Sequence, residues 1–219
     1  MGFFKKDKKN SERSFSVELK ASIVRGTDDT VQKLLKEASR SKRDGDIEGA
    51  IVLLKVAYKE LNDNSWGFPI EVYLRLPLYL QESGKRDEAW GEFNRLVLWV
   101  NSKSRYSREG SPMELSAIWD KMRLFLQREG KKEDAITFGV WSYLSWANGL
   151  HAQKRFSELK TYTNTENITK YMNPLLKKAG QESLRERIVK LVSDSSKQLP
   201  DLDFQNIATL IKTELSITL

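Results

Sequence analysis

The side chains that most often carry out catalysis are scarce in this 219-residue chain. It contains no cysteine and one histidine, His151, which leaves no thiol nucleophile, no zinc-thiolate site and a single imidazole. The surrounding sequence GLHAQKRF places His151 near a helix end, which is typical of a surface or capping residue. Phosphate-binding loops, the zinc-protease motif and the nucleophile elbow are missing from the sequence.

Two pairs of neighbouring carboxylates are the next candidates for acid–base chemistry. Asp87 and Glu88 form one pair, and Glu133 and Asp134 form the other. Both pairs stand where a helix is predicted to start, and negative charge there stabilises the helix dipole without any catalytic role. We therefore predict a protein that is not an enzyme and that uses no cofactor and no metal. A small hydrolase built around His151 stays as an alternative.

The carboxylate pairs belong to a turn that the sequence repeats three times. In each copy a glycine precedes an alanine by five residues. The pairs are Gly45 with Ala50, Gly84 with Ala89, and Gly130 with Ala135. Apolar residues recur every three or four positions on both sides of each glycine, which is the period of an amphipathic helix. Because glycine ends helices in the left-handed conformation and alanine lets helices approach closely, the pattern predicts three helical hairpins.

This pattern resembles the tetratricopeptide repeat family, whose units are helical hairpins packed side by side. Ala38, Ala50 and Ala57 stand where that family places small residues, and Trp119 stands where it favours a large aromatic side chain. The resemblance covers about residues 31–147. It implies an open array of hairpins whose ends need to be covered.

We predict an all-helical protein in three parts. Residues 21–150 form the tetratricopeptide-like array of helical hairpins. Residues 1–20, with six basic and three acidic side chains, form a basic N-terminal tail. Residues 151–219 form a helical cap or docking module, because Gly180 is followed five residues later by Arg185 instead of alanine.

Proline and tryptophan give two further expectations about packing. Pro77 lies inside the first helix of the second hairpin and predicts a kink there. The alternative is that the bend exposes the backbone carbonyl of Tyr73 to a ligand groove. The six tryptophans are expected in the core, since most of them lie on apolar faces. They are Trp66, Trp90, Trp99, Trp119, Trp141 and Trp146.

The resemblance also implies a function and a site. In the tetratricopeptide family, the first helices of successive hairpins line a groove that takes a peptide or a partner helix. Carried over by position, the partner-binding residues are Lys42, Arg43, Leu74, Leu78, Gln81, Leu124, Gln127 and Arg128. We expect the leucines to be exposed and to contact the partner, and the cations to select a partner with acidic residues beside the bound segment. The alternative is that the leucines are buried against a neighbouring helix. The function implied is protein–protein interaction in an adaptor or regulatory role.

The basic excess leaves two other partners open. The formal net charge is +7, and Lys103, Arg105 and Arg108 surround Tyr106 in the predicted loop 101–113. Together with the basic N-terminus, this loop is the basis for a nucleic-acid-binding alternative.

The N-terminus is also the basis for a second alternative partner, a membrane surface. Phe3 and Phe4 are followed by lysines, a pattern that also suits contact with a membrane surface.

No apolar run reaches the roughly 18 residues that cross a bilayer, and the N-terminus lacks the apolar stretch of a signal peptide. We expect a cytoplasmic protein.

Overall fold

The computed structural model describes residues 28–64, 68–103 and 111–216, and the regular elements in these ranges are helices without any strand. This confirms the all-helical class for the described part of the chain. The helices are α1 (Asp28–Arg43), α2 (Ile47–Asn64), α3 (Ile70–Tyr73), α4 (Arg75–Glu82), α5 (Arg86–Lys103), α6 (Ser111–Arg128), α7 (Lys132–Ala152), α8 (Phe156–Tyr162), α9 (Thr165–Ala179), α10 (Arg185–Ser196) and α11 (Phe204–Ser216). The predicted tail, residues 1–20, lies outside the described residues. None of the described helices has the length and apolarity needed to cross a membrane.

The chain divides into two compact units, Met1–Glu92 and Phe93–Leu219. The division falls inside α5. The boundary predicted at residue 150 lies in α7, within the second unit.

The repeated glycines end helices in the left-handed conformation, as predicted. The φ angles of Gly45, Gly84 and Gly130 are 84°, 83° and 78°. In each turn, the N–H of the next residue donates to the carbonyl of the residue four before the glycine, at 2.8 to 2.9 Å. This bond satisfies a carbonyl that the helix end leaves without a partner. Gly180, with φ 72°, makes the same turn between α9 and α10 and was not predicted.

In the first unit, α1 packs against α2, and α2 packs against α4. The small residues predicted at the helix contacts, Ala38, Ala50, Ala57 and Ala89, are all 0% exposed. Without large side chains at these positions, helix backbones can approach closely.

Pro77 breaks its helix, as predicted, and the break lies at Leu74 between α3 and α4. The Tyr58 hydroxyl of α2 donates a hydrogen bond to the Val72 carbonyl at this break. Burial raises the pKa of Tyr58 above its ordinary value, so the hydroxyl stays protonated and able to donate. Tyr73 is 2% exposed, so the alternative in which its carbonyl faces a ligand groove is wrong.

Helix α7 is the centre of the second unit. It packs against α6, α8, α9, α10 and α11 and is buried on several faces. Ser116 and Ser142 join α6 to α7, because each hydroxyl donates to the other residue's carbonyl, at 2.8 and 3.0 Å. At Gly139, a Cβ would come within 2.4 Å of the Leu175 side chain on α9. Glycine at this position therefore lets α9 approach α7 closely.

Candidate functional site

The two leucines predicted as contacts on the second hairpin have different environments. Leu74 is 1% exposed, so it is a core residue and its assignment to a binding groove is wrong. Leu74 lies at the interruption between α3 and α4. Leu78, one turn beyond, is half-buried.

Lys42 already has partners within the first unit. Its Nζ lies 2.6 Å from Glu82 Oε2 and 4.5 Å from the centre of the Tyr79 ring. The pairing with Glu82 reduces the charge that Lys42 can offer to an acidic ligand. Arg43 is exposed at the end of α1, and Gln81 is half-buried on α4.

The other three predicted site residues lie on α6 in the second unit. Leu124 is half-buried and Arg128 is exposed. Gln127 Oε1 accepts a hydrogen bond from Arg123 at 3.2 Å. Of the eight residues predicted for partner binding, Gln127 also lines an open groove in this unit, described next.

This groove is an open cavity of about 840 Å³ formed by α6, α7, α8, α9 and the turn before α8. We call it the aromatic groove. Its lining residues are Arg123, Gln127, Tyr143, Trp146, Leu150, Arg155, Ser157, Glu158, Thr161, Tyr162, Asn167, Lys170, Tyr171, Pro174, Leu175 and Lys178. Its volume lies in the range of roughly 300 to 1,000 Å³ that is typical of ligand sites.

Three tyrosines form a packed cluster in the aromatic groove. The rings of Tyr143 and Tyr162 stack with their centres 4.3 Å apart, and Tyr171 packs at 4.9 Å from Tyr143. The Tyr143 hydroxyl donates to the Tyr162 carbonyl and so ties α8 to α7. Burial raises the pKa of all three hydroxyls, which keeps them neutral. The cluster is preformed and uncharged, and Tyr143 within it is buried.

Trp146 lies on the same face of α7 as Tyr143 and Leu150. It is 40% exposed, so its expected place in the core is wrong. Periodicity could not show this, because α7 has buried residues on several faces and carries no polar stripe that marks an outer side. An exposed tryptophan next to packed tyrosines is the most distinctive apolar feature of the groove.

Two of the four cations in the groove are held by carboxylates. Arg123 lies 2.6 Å from Asp120, its neighbour one turn away on α6. Arg155 donates to both carboxylate oxygens of Glu158, one of them at 2.8 Å from Nε. The Arg155 guanidinium, by its hydrogen bonds, holds the pKa of Glu158 below its usual range. The Arg155 pair uses both oxygens of its carboxylate, whereas two Arg123 nitrogens donate to one oxygen of Asp120.

The other two cations, Lys170 and Lys178, are exposed on α9 and have no ion-pair or hydrogen-bond partner in the described part of the chain. Pro174 lies between them on the same face, one turn from each. Because proline has no N–H, the Lys170 carbonyl lacks its usual helical donor. The groove side of α9 therefore offers two ammonium groups.

A second, smaller hollow of about 430 Å³ lies along α9 and α10. It is lined by the charged side chains of Arg185, Glu186, Lys190, Asp194 and Lys197 with one valine. Lys197 pairs with Asp194 at 2.7 Å. This hollow has no aromatic surface comparable to that of the aromatic groove.

The other candidates from the sequence are separate from the aromatic groove. His151 is half-buried, with its ring 5.7 Å from that of Phe156, and it does not line the groove. Glu88 lies 3.3 Å from Lys55, and Glu133 accepts from Gln181 at 2.9 Å, so each carboxylate has a structural partner.

Most residues proposed for nucleic acid and for a membrane surface lie outside the described residues. They are Arg105, Tyr106 and Arg108 of the loop and Phe3 and Phe4 of the N-terminus. Lys103 is the last residue of α5.

No protein-family model, no curated protein and no solved structure matches this chain. The contacts and charges of the aromatic groove therefore carry the functional argument by themselves.

Proposed function

We propose that this chain is a non-enzymatic binding module that takes a short segment of a partner protein in the aromatic groove. The observation that carries the proposal is the exposed Trp146 beside the stacked tyrosines in an open cavity of about 840 Å³. Tryptophan and tyrosine dominate the energetics of protein interfaces, because they bury large areas at a small cost in side-chain entropy.

The chemistry of the lining residues favours binding over catalysis. Among the described residues of the groove, Glu158 is the one carboxylate, and Arg155 bonds both of its oxygens. The tyrosine hydroxyls have raised pKa values and are poor bases or nucleophiles near neutral pH. His151 lies elsewhere on α7.

The packing of the groove also supports a binding role. The Tyr143 hydroxyl and the Tyr143–Tyr162 stack fix α8 on α7 before any ligand arrives. A preformed surface reduces the entropy lost on binding. A groove open to solvent accepts a chain that enters and leaves it, which suits a segment of a larger partner.

The hairpin architecture is part of the same proposal. The recurrent turns at Gly45, Gly84 and Gly130 and the buried alanines after them support a tetratricopeptide-like arrangement. Such modules present grooves to partner segments, which fits an adaptor or regulatory role. In this proposal the binding residues are those of the aromatic groove, with Gln127 retained from the set expected from sequence.

Display of random peptides tests the proposal. A peptide library is selected against the full chain, and the enriched peptides are measured against Trp146→Ser and against Leu210→Ser. Both replaced side chains are large and exposed, at 40% and 44%, but Leu210 lies on α11 and does not line the groove. We expect Trp146→Ser to weaken binding at least about tenfold, because it removes an aromatic contact, while Leu210→Ser keeps the parental affinity.

Two results would contradict the proposal. One is a library that yields no enriched peptide. The other is a set of enriched peptides that bind parent and Trp146→Ser equally, with both variants shown by circular dichroism to be folded.

A further inference from the structure

The charges of the aromatic groove restrict the chemistry of its occupant, provided that the groove binds a partner segment as proposed above. Arg123 and Arg155 are already neutralised by Asp120 and Glu158. Lys170 and Lys178 have no such partner in the described ranges. The groove side of α9 therefore carries two lysines that no described carboxylate pairs with.

The two lysines have a defined separation. They are eight residues apart on one helix, which places their backbone positions about 12 Å apart along the helix axis. Pro174 lies midway and is exposed, so an apolar contact separates the two ammonium groups. In an extended chain, two residues four positions apart span about 13 Å.

We propose that the occupant of the aromatic groove is an acidic peptide segment with two carboxylates four residues apart and an apolar or aromatic side chain between them. The carboxylates pair with Lys170 and Lys178. The central side chain packs against Pro174 and Trp146. A backbone N–H of the segment can donate to the Lys170 carbonyl that Pro174 leaves without a helical donor.

Charge complementarity decides in favour of an acidic peptide over single-stranded nucleic acid. A nucleic acid carries a charge at every nucleotide and binds best along a continuous positive track. The groove has two unpaired lysines and one carboxylate of its own, Glu158. Its tyrosine faces are largely covered by one another, which leaves Trp146 as the exposed ring for stacking.

Three fluorescein-labelled peptides of the same length test the proposal by fluorescence anisotropy with the full chain at low salt. The first has Glu-Ala-Trp-Ala-Glu at its centre. The second has Gln in place of both Glu residues, and the third has Lys. A labelled oligothymidylate serves as the nucleic-acid probe. We expect the Glu peptide to bind at least about tenfold more tightly than the Gln peptide, and the Lys peptide to bind most weakly.

A charge reversal provides the decisive comparison. Lys170→Glu combined with Lys178→Glu is expected to weaken the Glu peptide about tenfold or more and to make the Lys peptide the preferred ligand. The matched control combines Lys160→Glu with Lys177→Glu. It makes the same change in net charge at exposed positions of α8 and α9 that do not line the groove. This control is expected to change the affinity by less than about threefold.

Glu158→Gln gives a second test, in which the affinity for the Glu peptide is expected to rise instead of fall. It removes the carboxylate of the groove and releases Arg155, and it touches no core residue because Glu158 is exposed. The Glu peptide should bind this variant about threefold to tenfold more tightly than the parent.

Four outcomes would overturn the acidic-segment proposal, and the first three concern relative affinities. They are equal binding of the Glu and Gln peptides, equal losses in the groove and control reversals, and binding of oligothymidylate more tightly than the Glu peptide. Absence of binding by all three peptides also overturns it. If display then still yields Trp146-dependent neutral peptides, the binding function stands and this specificity fails. If no peptide depends on Trp146, both fail.

Discussion

Tyr58 holds together the backbone break that Pro77 creates in the first unit. Its hydroxyl donates to the Val72 carbonyl, and its ring packs 5.2 Å from that of Tyr73. Tyr58 is 3% exposed, so water cannot replace the hydroxyl at this carbonyl. A buried acceptor that loses its donor raises the free energy of the folded state.

Tyr58→Phe should therefore lower the free energy of unfolding by about 1.5 kcal/mol, because it deletes this donor and leaves the ring in place. Urea unfolding followed by circular dichroism measures the change. Tyr79→Phe is the matched control, since its ring lies half-buried under Lys42 and keeps that contact without the hydroxyl. It should change stability by less than about 0.5 kcal/mol. Equal stability of the two variants would rule out a structural role for the Tyr58 hydroxyl.

One predicted contact residue, Leu74, lies at this break and was wrong. In a continuous helix from Pro69, Leu74 would face away from Tyr73 and Leu76. The structure interrupts the helix at Leu74 itself, three residues before Pro77, and all three side chains are buried. Sequence predicted that a kink occurs. It could not predict which side chains are buried around the kink, since that depends on tertiary packing.

At the scale of helices, Gly180 is the turn that the repeat pattern missed. The repeat places alanine five residues after glycine, and Arg185 stands there. In the structure, a 3₁₀ turn at Glu182–Leu184 precedes α10, so the buried contacts come from Leu184 and Ile188 instead. The glycine itself was the indication of a turn in the sequence. Its left-handed φ of 72° ends α9 in the same way as the other three glycines end their helices.

Gly180→Ala should destabilise the protein by about 1 kcal/mol, because a residue with a Cβ is strained in the left-handed region. A Cβ at Gly180 meets nothing within 4 Å, so the loss would come from the backbone alone. Gly91→Ala has the same open surroundings but lies inside α5. It should stabilise the protein by about 1 kcal/mol, because alanine favours a helix. Thermal unfolding of both variants tests this, and changes of the same sign would contradict it.

At the scale of the whole molecule, composition and periodicity predicted the helical class and the turns but not the functional site. The helical class and the three repeated turns followed from local patterns of glycine, alanine and apolar residues. The aromatic groove did not, because residues between 123 and 178 from four helices and a turn assemble it. Lys170, Pro174 and Lys178 form a visible stripe at intervals of four residues. Whether this stripe lines a groove depends on the tertiary structure, which places Tyr143 and Trp146 in the same groove.

Buried tyrosines in both units make the stability of the molecule depend on alkaline pH. Burial raises the pKa of Tyr58 in the first unit and of Tyr143, Tyr162 and Tyr171 in the second. In the unfolded chain each hydroxyl titrates near about pH 10. Above that pH the unfolded state releases protons that the folded state retains, so the free energy of unfolding falls as pH rises. The stabilisation is complete below this value and is lost above it.

Tyr162→Phe isolates one of these contributions. Its ring stacks on Tyr143, and its backbone carbonyl, which accepts the Tyr143 hydrogen bond, is unchanged by the substitution. We expect the variant to match the parent within about 0.5 kcal/mol at pH 8 and to be more stable than the parent by roughly 1 kcal/mol at about pH 11. Urea unfolding across this range measures the difference, with tyrosinate absorbance recording ionisation. Parallel pH profiles for parent and variant would show that the Tyr162 hydroxyl titrates alike in the folded and unfolded chains.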